Sequence, residues 1–439
     1  MKNKYVEKVF NEVVASNPHE EQFLNTVKEV FTSLEPVYDA HPELEKEAYL
    51  ERIAEPQRVV EFQVKWVDDA GNVQVNRGYR VQQNNAIGPF KGGLRFNKTV
   101  NLSILKSLAF EQTFKNAITG CPMGGGKGGS NFDPHGKSPA EIERFCHAFM
   151  EQLWPYIGST TDVPAGDLGV GGTEIGYLLD EYLKHRSDIG TLTGKPLDKG
   201  GLLGRTEATG FGLCYFTDEM LKDHGKSFKG AKVIVSGSGN VSTYACKKAT
   251  ELGATVIGMS DTHGYIIDDA GINYENIIKA KAGRASIKNY LEYSDTAVYA
   301  ENPTDLFKHA CDICLPCATQ NEIDLETAKV LVANGCYCVS EGANLPTKLD
   351  AIAYLQENGV LFGPAKAANA GGVGCSYFEM CQNAEDSKWT FEKTDGMLKD
   401  MMVNIYKNIK DAATRYGQPE NFLMGANIHG FETVIAKMK

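Results

Sequence analysis

Apolar side chains near the N-terminus recur every three or four residues, in two runs separated by Asn17 and Pro18. This period places the apolar side chains on one face of a helix. The two faces consist of Tyr5, Val6, Val9, Phe10 and Val13, and of Phe23, Val27, Val30, Phe31 and Leu34. Because such stripes must be buried, the pattern predicts a two-helix N-terminal arm, which we interpret as a subunit contact.

The period changes to two beyond Val60. Alternate residues are apolar on both sides of the polar segment 68–72, namely Val60, Phe62, Val64 and Trp66 before it and Val73, Val75, Tyr79 and Val81 after it. Alternation of this kind predicts two strands, and the short polar segment between them predicts that they form a β-hairpin.

Short apolar segments alternate with helical segments in the second half of the chain. The predicted strands are 231–236, 254–259, 311–315, 336–339 and 360–362, and the predicted helices include 206–222, 325–333 and 349–357. This alternation predicts a parallel, doubly wound sheet with right-handed crossovers. Ligands of such sheets lie beyond the carboxyl ends of the strands, so we expect the loops 317–321 and 341–344 to line a cofactor cleft.

A glycine turn lies directly between the first of these strands and the helix that follows it. The turn and the start of the helix read Gly237, Ser238, Gly239, Asn240, Val241 and Ser242. Glycines allow a tight turn, and the N–H groups at the start of the helix can hold a pyrophosphate. Ser242 replaces the third glycine of the usual fingerprint, a change small enough for helix and strand to pack. The segment therefore predicts a dinucleotide site.

Three lysines mark the region between Gly88 and Pro134. Lys91 stands in GPFKGGLRF and Lys127 in GGGKGG, which we interpret as glycine turns, and Lys115 falls near the end of a predicted helix over 102–117. Glycine lets a backbone and an ammonium approach a bound group closely. Most lysines are solvated surface charges, but two glycine-flanked lysines with a third between them favour a pocket for a small dianion. A phosphate-binding P-loop is excluded, since Cys121 and Gly128 occupy two of its required positions.

The chain continues with a capped helix, a loop, another helix and a second glycine-rich segment. Ser138 to Glu141 forms a capping box, and a further helix is predicted over 173–184. Between these helices, residues 161–170 are too rich in glycine and proline to predict regular structure, and on composition alone Asp167 is an ordinary turn aspartate. Residues 194–204 have no helical or strand period and are our candidate hinge.

Composition narrows the class of protein. The chain has 439 residues, which suggests two domains or three. Its net charge of -11 argues against nucleic acid or an anionic membrane as partner. The N-terminus has no apolar core of signal-peptide length and no run of about 18 apolar residues occurs, so we expect a cytoplasmic protein.

The eleven cysteines include a cluster with the spacing of metal ligands, Cys311, Cys314 and Cys317. Asn321 stands where a fourth ligand is expected, and the segment has the composition of a buried strand in which cysteine is a small apolar side chain. The histidines supply no pair at metal-binding helical spacing. The sequence therefore predicts no metal.

The motifs FKGGLRF, FEQTFKNA, PMGGGKGGSNFDP and DVPAGDLGVG resemble those of the hexameric glutamate dehydrogenases, and the resemblance extends from about Phe62 to the C-terminus. It implies an α/β fold with an N-terminal α/β domain for substrate binding and oligomerisation over 1–200. A Rossmann-type doubly wound domain follows over 201–374, with the active site in the cleft between the two. The helices of about 375–439 would pack back towards the first domain.

The resemblance also implies roles for individual residues. Lys91 and Ser376 would bind the side-chain carboxylate of glutamate, and Lys115 with Gln112 the α-carboxylate. Gly166 would contribute through its backbone. Lys127 would activate the attacking water, and Asp167 would exchange protons with the amine, which reverses the interpretation of this aspartate as an ordinary turn residue. Thr209, Asn240 and Asn344 would contact the nicotinamide nucleotide. Glutamate, 2-oxoglutarate and ammonium are the implied substrates, and a homohexamer is the implied assembly.

The choice between NADP and NAD depends on the end of the second predicted strand. Asp261 stands where a carboxylate would bind the ribose of NAD and repel the 2′-phosphate of NADP. Ser260 can donate to a phosphate, and Lys281 and Arg284 are three residues apart on a predicted helix, hence on one face. The NADP-type glutamate dehydrogenases are similar in these features. We therefore expect NADP, with the two cations offsetting Asp261, and NAD as the alternative.

Two other classes of protein share part of this pattern. Leucine, valine and phenylalanine dehydrogenases have similar lysine, aspartate and glycine motifs, but their pocket for the substrate side chain is apolar. The polar residues Lys91 and Ser376 disfavour this class. A nucleotide-sensing or scaffold protein could keep the fold without turnover. That alternative is disfavoured because Lys127 and Asp167 are both present.

Overall fold

The computed structural model describes residues 1–438, apart from the side chain of Arg284. The chain divides into two compact units. The first unit comprises 1–205, 373–394 and 426–439, and the second comprises 206–372 and 395–425.

The first unit contains a five-stranded sheet in the order β1-β2-β4-β3-β5. Strands β1, β2 and β4 are antiparallel neighbours, whereas β4, β3 and β5 run parallel. Its elements up to residue 182 are α1 Lys4–Ser16, α2 Glu21–Ala40, α3 Tyr49–Ala54, β1 Arg58–Val67, β2 Val73–Asn84, β3 Phe90–Phe96, α4 Leu102–Ile118, β4 Gly125–Ser130, α5 Pro139–Leu153, β5 Asp162–Gly166 and α6 Gly172–Tyr182. The two N-terminal helices, the hairpin and the helix with Lys115 thus form as predicted.

Two predictions about this unit are wrong. The glycine-rich segments around Lys91 and Lys127 are strands β3 and β4, not turns, and residues 162–166 form the parallel strand β5. The cause is packing. A Cβ at Gly92 would lie 1.7 Å from the Gly126 carbonyl oxygen, and one at Gly125 would lie 1.9 Å from Thr113 Oγ1 of α4. Glycine at these positions allows the neighbouring backbone and α4 to approach the strands closely. Because glycine is uncommon in strands, the local sequence does not predict β3 and β4.

Helices α5 and α6 pack against the same sheet. Helix α5 begins with the predicted capping box, in which the Ser138 hydroxyl accepts from the Glu141 N–H and the Glu141 carboxylate accepts from the Ser138 N–H. The core that the two helices share with the sheet includes Trp66, Phe96, Phe132, Phe145, Phe149, Leu178 and Tyr182. This core fixes the strands from which the lysines project.

The second unit contains a seven-stranded sheet in the order β12-β11-β10-β6-β7-β8-β9. Its elements up to residue 368 are α7 Ala208–Asp223, β6 Lys232–Val235, α8 Asn240–Glu251, β7 Thr255–Ser260, β8 Gly264–Ile267, α9 Tyr274–Ala280, β9 Val298–Glu301, β10 Ile313–Leu315, α10 Leu325–Ala333, β11 Cys338–Ser340, α11 Leu349–Glu357, β12 Leu361–Gly363 and α12 Ala365–Ala368. The five predicted strands form and are parallel. Strands β8 and β9, which were not predicted, extend the sheet in antiparallel fashion.

The cysteine cluster belongs to the core of this unit. Cys314 lies in β10 and is completely buried, and Cys311 and Cys317 flank the strand with buried side chains. All three are free thiols. Cys311 and Cys314 belong to an apolar core that includes Leu306, Ile323 and Leu331, as the interpretation of this segment as a buried strand requires.

Three helices complete the chain, α13 Gly371–Ala384, α14 Phe391–Arg415 and α15 Phe422–Ile435. In the part of the chain that the structure describes, no helix has the length and apolar character needed to cross a membrane.

Candidate active site

Lys91 projects from β3 into the interior of the first unit and is almost completely buried. Its Nζ donates to Thr193 Oγ1 at 2.8 Å. Burial lowers the pKa of Lys91 well below its ordinary value, and the Arg205 and Arg80 guanidinium groups lower that pKa further. A bound carboxylate would raise the pKa again, because an adjacent anion stabilises the ammonium. Lys91 is therefore suited to bind an anion, which would stabilise its ammonium form.

Lys127 and Asp167 form the second part of the site. Lys127 projects from β4, Asp167 follows the end of β5, and Lys127 Nζ lies 3.2 Å from Asp167 Oδ2. Arg95 of β3 donates to the same oxygen through Nε at 2.7 Å. One carboxylate thus holds two cations from neighbouring strands.

The two pKa values of this pair are lowered for different reasons. Burial lowers the pKa of Lys127, and although the Asp167 carboxylate opposes this effect, it does not cancel it. Burial alone would raise the pKa of Asp167, but Lys127 and Arg95 reverse that effect and lower it. The arrangement favours an amine that gives up its proton readily beside a carboxylate that stays ionised.

Helix α4 supplies the third cation. Lys115 is in its last turn and is partly buried, and burial, with the neighbouring Lys127, lowers the pKa of Lys115 to about 8. Gln112, one turn earlier, donates to Asn116 Oδ1 at 2.6 Å. Asn116 in turn donates to the carbonyls of Lys91 and Gly124. These bonds fix the end of α4 against the strands that carry Lys91 and Lys127.

Ser376, in the first turns of α13, is also part of the first unit. Its Oγ accepts from Arg205 Nε at 3.2 Å. Arg205 is also one of the cations that lower the pKa of Lys91, so the two residues predicted to bind one carboxylate share a neighbour. Gly166 ends β5, and its carbonyl oxygen would lie 2.7 Å from a Cβ at Gly93.

Four further residues of the site were not identified from the sequence. Thr193 accepts from Lys91, and the segment that carries it is held by Glu379 of α13, which accepts from the Gly194 N–H at 2.8 Å. Arg95 and Arg205 complete the set. Glycine and proline content drew attention to residues 194–204 as a hinge, and no local pattern marks Thr193 as a partner of a lysine a hundred positions earlier.

A buried ion pair lies beneath the lysines. Arg80 of β2 and Asp162 of β5 are both inaccessible to solvent and are joined by two hydrogen bonds, one of them from Nε to Oδ2 at 2.8 Å. Arg80 also donates to the Gly92 carbonyl at 3.0 Å. Its charge contributes to the lowered pKa values of Lys91 and Lys127. Asp162 opposes the effect of Arg80 on the pKa of Lys91, so the main contribution of the pair is to join β2 to β5.

The glycine turn is part of the second unit, between β6 and α8. Gly237 has a φ of +83°, which a side chain would oppose, and a Cβ there would lie 2.6 Å from Ser242 Oγ. Ser242 donates to the Ser236 carbonyl at 2.9 Å, so it packs helix against strand as expected. Gly239 is the N-cap and supplies no side-chain hydrogen bond. The first N–H groups of α8, beside the partly or fully exposed Ser238, Asn240 and Val241, are thus suited to a pyrophosphate.

Asp261 follows β7, and its carboxylate is held by protein donors. It accepts from the N–H groups of His263 at 2.9 Å and Ile287 at 2.7 Å, and Lys281 Nζ lies 3.4 Å away. Burial would raise the pKa of Asp261, but these donors lower it. Ser260 is buried below the turn and accepts from the Gly237 N–H at 2.9 Å.

The prediction that Lys281 and Arg284 share one helical face is wrong. Helix α9 ends at Ala280, Lys281 is its C-cap, and Gly283 has a φ of +65° that breaks the helix before Arg284. The side chain of Arg284 lies outside the part of the molecule that the structure describes. Lys281 thus reaches Asp261 from a helix end and not from a helical face.

The two remaining predicted residues lie in the same unit. Thr209 is partly buried in the first turn of α7. Asn344 is exposed in the loop after β11, and its Oδ1 accepts from Asn369 Nδ2 at 3.0 Å. The contact of Thr209 and Asn344 with the nicotinamide nucleotide remains a prediction.

Two protein-family models together match most of the chain. The model of the Glu/Leu/Phe/Val dehydrogenase dimerisation domain matches residues 56–184, and the glutamate/leucine/phenylalanine/valine dehydrogenase model matches residues 200–439.

Individual relatives are similar over nearly the whole length. The chain is 49% identical to an NAD(P)-specific glutamate dehydrogenase of Xylanibacter ruminicola, covering 98% of each chain. It is 48% identical to an NADP-specific glutamate dehydrogenase of Escherichia coli, covering 99% of this chain and 97% of the relative. The crystal structure of Plasmodium falciparum glutamate dehydrogenase superimposes with a TM-score of 0.96 at 45% identity, covering 99% of this chain and 94% of the other.

Proposed function

The chain belongs to the glutamate/leucine/phenylalanine/valine dehydrogenase family, and on that premise we propose that it is an NADP-dependent glutamate dehydrogenase. The reaction is the reversible oxidative deamination of L-glutamate to 2-oxoglutarate and ammonium. One observation carries the choice of substrate within the family. The buried amine of Lys91, beside Thr193 and near Arg205, is stabilised in its charged form by an adjacent anion. It therefore suits a substrate whose side chain ends in a carboxylate better than one whose side chain is apolar.

Binding at two ends positions the substrate. In this proposal Lys91 and Ser376 hold the side-chain carboxylate, while Lys115 and Gln112 hold the α-carboxylate, with the backbone of Gly166 assisting. Two anchored carboxylates leave the α-carbon with little freedom, and such positioning can supply several kcal/mol of the reduction in barrier. When bound, NADP supplies the acceptor for the hydride that leaves the α-carbon.

Lys127 and Asp167 perform the proton transfers of the proposed reaction. After loss of the hydride the substrate is an iminoglutarate, and water must attack its imine carbon. The lowered pKa of Lys127 suits an amine that accepts the proton of that water. Asp167, 3.2 Å from Lys127, is placed to relay a proton to the departing nitrogen, which leaves as ammonia. Arg95 acts on this step by holding Asp167 in position.

The second unit carries the proposed cofactor site. The pyrophosphate would bind at Gly237, Ser238, Gly239, Asn240 and Val241, and Thr209 and Asn344 would contact the nicotinamide nucleotide. For NADP, Ser260 and Lys281 are the proposed neighbours of the 2′-phosphate, with Arg284 retained from the sequence. The carboxylate of Asp261 is already engaged by backbone N–H groups and by Lys281, and these donors offset its repulsion of a phosphate.

The cofactor assignment predicts the effect of removing one charge. In Lys281→Ala, we expect the ratio of kcat/KM for NADPH over NADH to fall about tenfold, because a charged hydrogen bond to the phosphate contributes about 1.5 kcal/mol or more. Lys279→Ala is the control, since that exposed ammonium lies over the Tyr293 ring. A wild-type ratio below one would reject the NADP assignment, and an unchanged ratio in Lys281→Ala would show that other residues recognise the phosphate.

The binding of 2-oxoglutarate is expected to depend on pH through Lys115. The pKa of Lys115 is about 8 in the free protein, and only its ammonium form attracts the α-carboxylate. The affinity should therefore be constant below this pKa and fall up to about tenfold per pH unit above it. Calorimetric titration in buffers between about pH 7 and pH 9.5 measures both the affinity and the proton uptake that accompanies binding. Lys115→Arg should flatten the profile, and a flat wild-type profile would contradict the role of Lys115.

The assembly, domains and location follow as proposals. We propose a homohexamer, supported by the family's description of residues 56–184 as a dimerisation domain. Substrate binding and oligomerisation are assigned to 1–200 and dinucleotide binding to 201–374. The expectation that all helices of about 375–439 belong with the first domain needs correction, because 395–425 is part of the second unit. A cytoplasmic location is supported by the eleven free cysteines, which are typical of a reducing compartment.

One assay tests the proposed activity. Nicotinamide absorbance is followed with 2-oxoglutarate, ammonium and either NADPH or NADH. We expect oxidation that requires both 2-oxoglutarate and ammonium, and much slower turnover with 4-methyl-2-oxopentanoate or phenylpyruvate. Preference for one of those apolar oxo acids would identify the protein as a branched-chain or aromatic amino acid dehydrogenase instead. No turnover with any of the three oxo acids would favour a binding protein.

A further inference from the structure

Helix α5 and the end of α6 with the turn that follows it each carry an imidazole and a carboxylate four residues apart. On α5 these are His147 and Glu151; Glu181 lies in the last turn of α6, and His185 lies in the turn after its last residue, Tyr182. Residues four apart lie on the same face of a helix. The two helices pack together through the core of the first unit, so their polar pairs meet at the edge of that core. This cluster has no part in the proposed reaction.

The distances within the cluster are short enough for a shared ion. One ligand atom from each of Glu151, Glu181 and His185 lies within 4.8 Å of the other two, and no other such group of three occurs in the described residues. His185 Nε2 is 3.5 Å from Glu181 Oε1, and His147 Nδ1 is 3.9 Å from Glu181 Oε2. Glu181 is thus flanked by two imidazoles on its two oxygens.

Two members of the cluster are held in place by their surroundings. The side chain of Glu181 is only 7% exposed. The ring of His185 stacks on Trp154 with centroids 4.7 Å apart and an angle of 2° between the planes. His147 Nε2 is buried without a hydrogen-bond partner among the described residues. Preorganised ligands of this kind lose little conformational freedom when they bind.

We propose that Glu151, Glu181 and His185, with His147 as a fourth ligand, bind a divalent transition metal ion of the Zn²⁺ class. Imidazole nitrogen together with carboxylate oxygen suits Zn²⁺, whereas Ca²⁺ and Mg²⁺ prefer oxygen ligands alone. Ligand atoms about 2.0–2.2 Å from a tetrahedral ion are about 3.3 Å apart. The exposed side chain of Glu151 can close the remaining gap by rotation. The ion would join the ends of α5 and α6.

Lys184 distinguishes this proposal from a simple charge cluster. Its Nζ donates to Glu181 Oε2 at 2.6 Å. In a charge cluster without a metal ion, Lys184 is the partner that neutralises Glu181, and no ion is required. For a metal site it is a competitor that must leave the oxygen when the ion binds. Removing its charge should therefore strengthen metal binding.

The test is calorimetric titration of the untagged, chelator-treated full chain with Zn²⁺. We expect saturation at one ion per chain. His185→Ala and Glu151→Gln should each weaken binding at least about tenfold, the lower bound for losing support of a metal site. Lys184→Gln should strengthen it by up to about fivefold, the effect of a surface ion pair. His135→Ala is the control, because this exposed histidine pairs with the single carboxylate of Asp133.

Trp154 provides an independent signal. Because its ring stacks on His185, Co²⁺ at this site should quench part of the tryptophan fluorescence, and Trp154→Phe should remove that part while Zn²⁺ still binds. Absence of stoichiometric Zn²⁺ binding would overturn the proposal. So would an affinity that is the same in His185→Ala as in His135→Ala. Both substitutions are at exposed positions, so circular dichroism can verify that the variants are folded before titration.

Discussion

Lys127→Ala and Asp167→Asn are each expected to lower kcat by a factor of about 10² to 10⁴, the usual contribution of a general acid or base, with NADPH affinity unchanged. Lys127→Ala removes the amine that accepts the proton of water. Asp167→Asn keeps the shape of the side chain and removes the charge that Lys127 and Arg95 share. Neither residue is in the second unit, which carries the proposed nucleotide site, so the chemical step should be lost without loss of binding.

Steady-state assays with 2-oxoglutarate and ammonium measure the loss, and NADPH fluorescence titration measures the binding. Lys98→Ala is a matched control for Lys127→Ala, because this exposed lysine follows β3 in the same unit. Activity of either active-site variant within about tenfold of wild type would remove that residue from the mechanism. A parallel loss of NADPH affinity would show that the substitution disturbs more than proton transfer.

The fold was predictable where one face of an element is buried. Helices α1 and α2 and the β1–β2 hairpin follow the apolar period of the sequence, and the glycine turn between β6 and α8 was recognised because a strand precedes it and a helix follows it. Glycine-rich strands gave no such signal. Strands β3 and β4 contain glycine because α4 and neighbouring backbone leave no room for side chains at Gly92 and Gly125. This requirement comes from tertiary packing, so local residue preferences do not reveal it.

The proposed site was predictable in its lysines but not in its partners. Glycines around Lys91 and Lys127 drew attention to both, whereas Thr193 and Arg205 reach the same region from a segment that has no chemical motif of its own. Likewise, the sequence indicated Asp261 but not that the Ile287 N–H would hold it. A search for histidine pairs on one helix also misses His147 and His185, which both lie near Glu181 because α5 packs against α6.

The second large effect concerns specificity. In the double variant Lys91→Leu, Ser376→Ala we expect kcat/KM for glutamate to fall about 10² to 10⁴-fold. An unpaired carboxylate in a buried site costs about 3–5 kcal/mol. With norleucine or methionine, the apolar end of the substrate meets the introduced leucine side chain in place of a buried ammonium, so activity should hold or rise. The ratio of kcat/KM for glutamate over norleucine is the deciding measurement.

A control must separate loss of the pocket from loss of a buried lysine. Lys106→Leu serves this purpose, because Lys106 is a mostly buried lysine of α4 whose Nζ lies 2.7 Å from Glu20 and over the Phe23 ring. Its removal should lower the thermal stability and leave the glutamate-to-norleucine ratio unchanged. If glutamate activity survives in the double variant, the side-chain carboxylate is bound elsewhere. If both substrates lose activity equally, Lys91 supports the fold of the site and does not select the substrate.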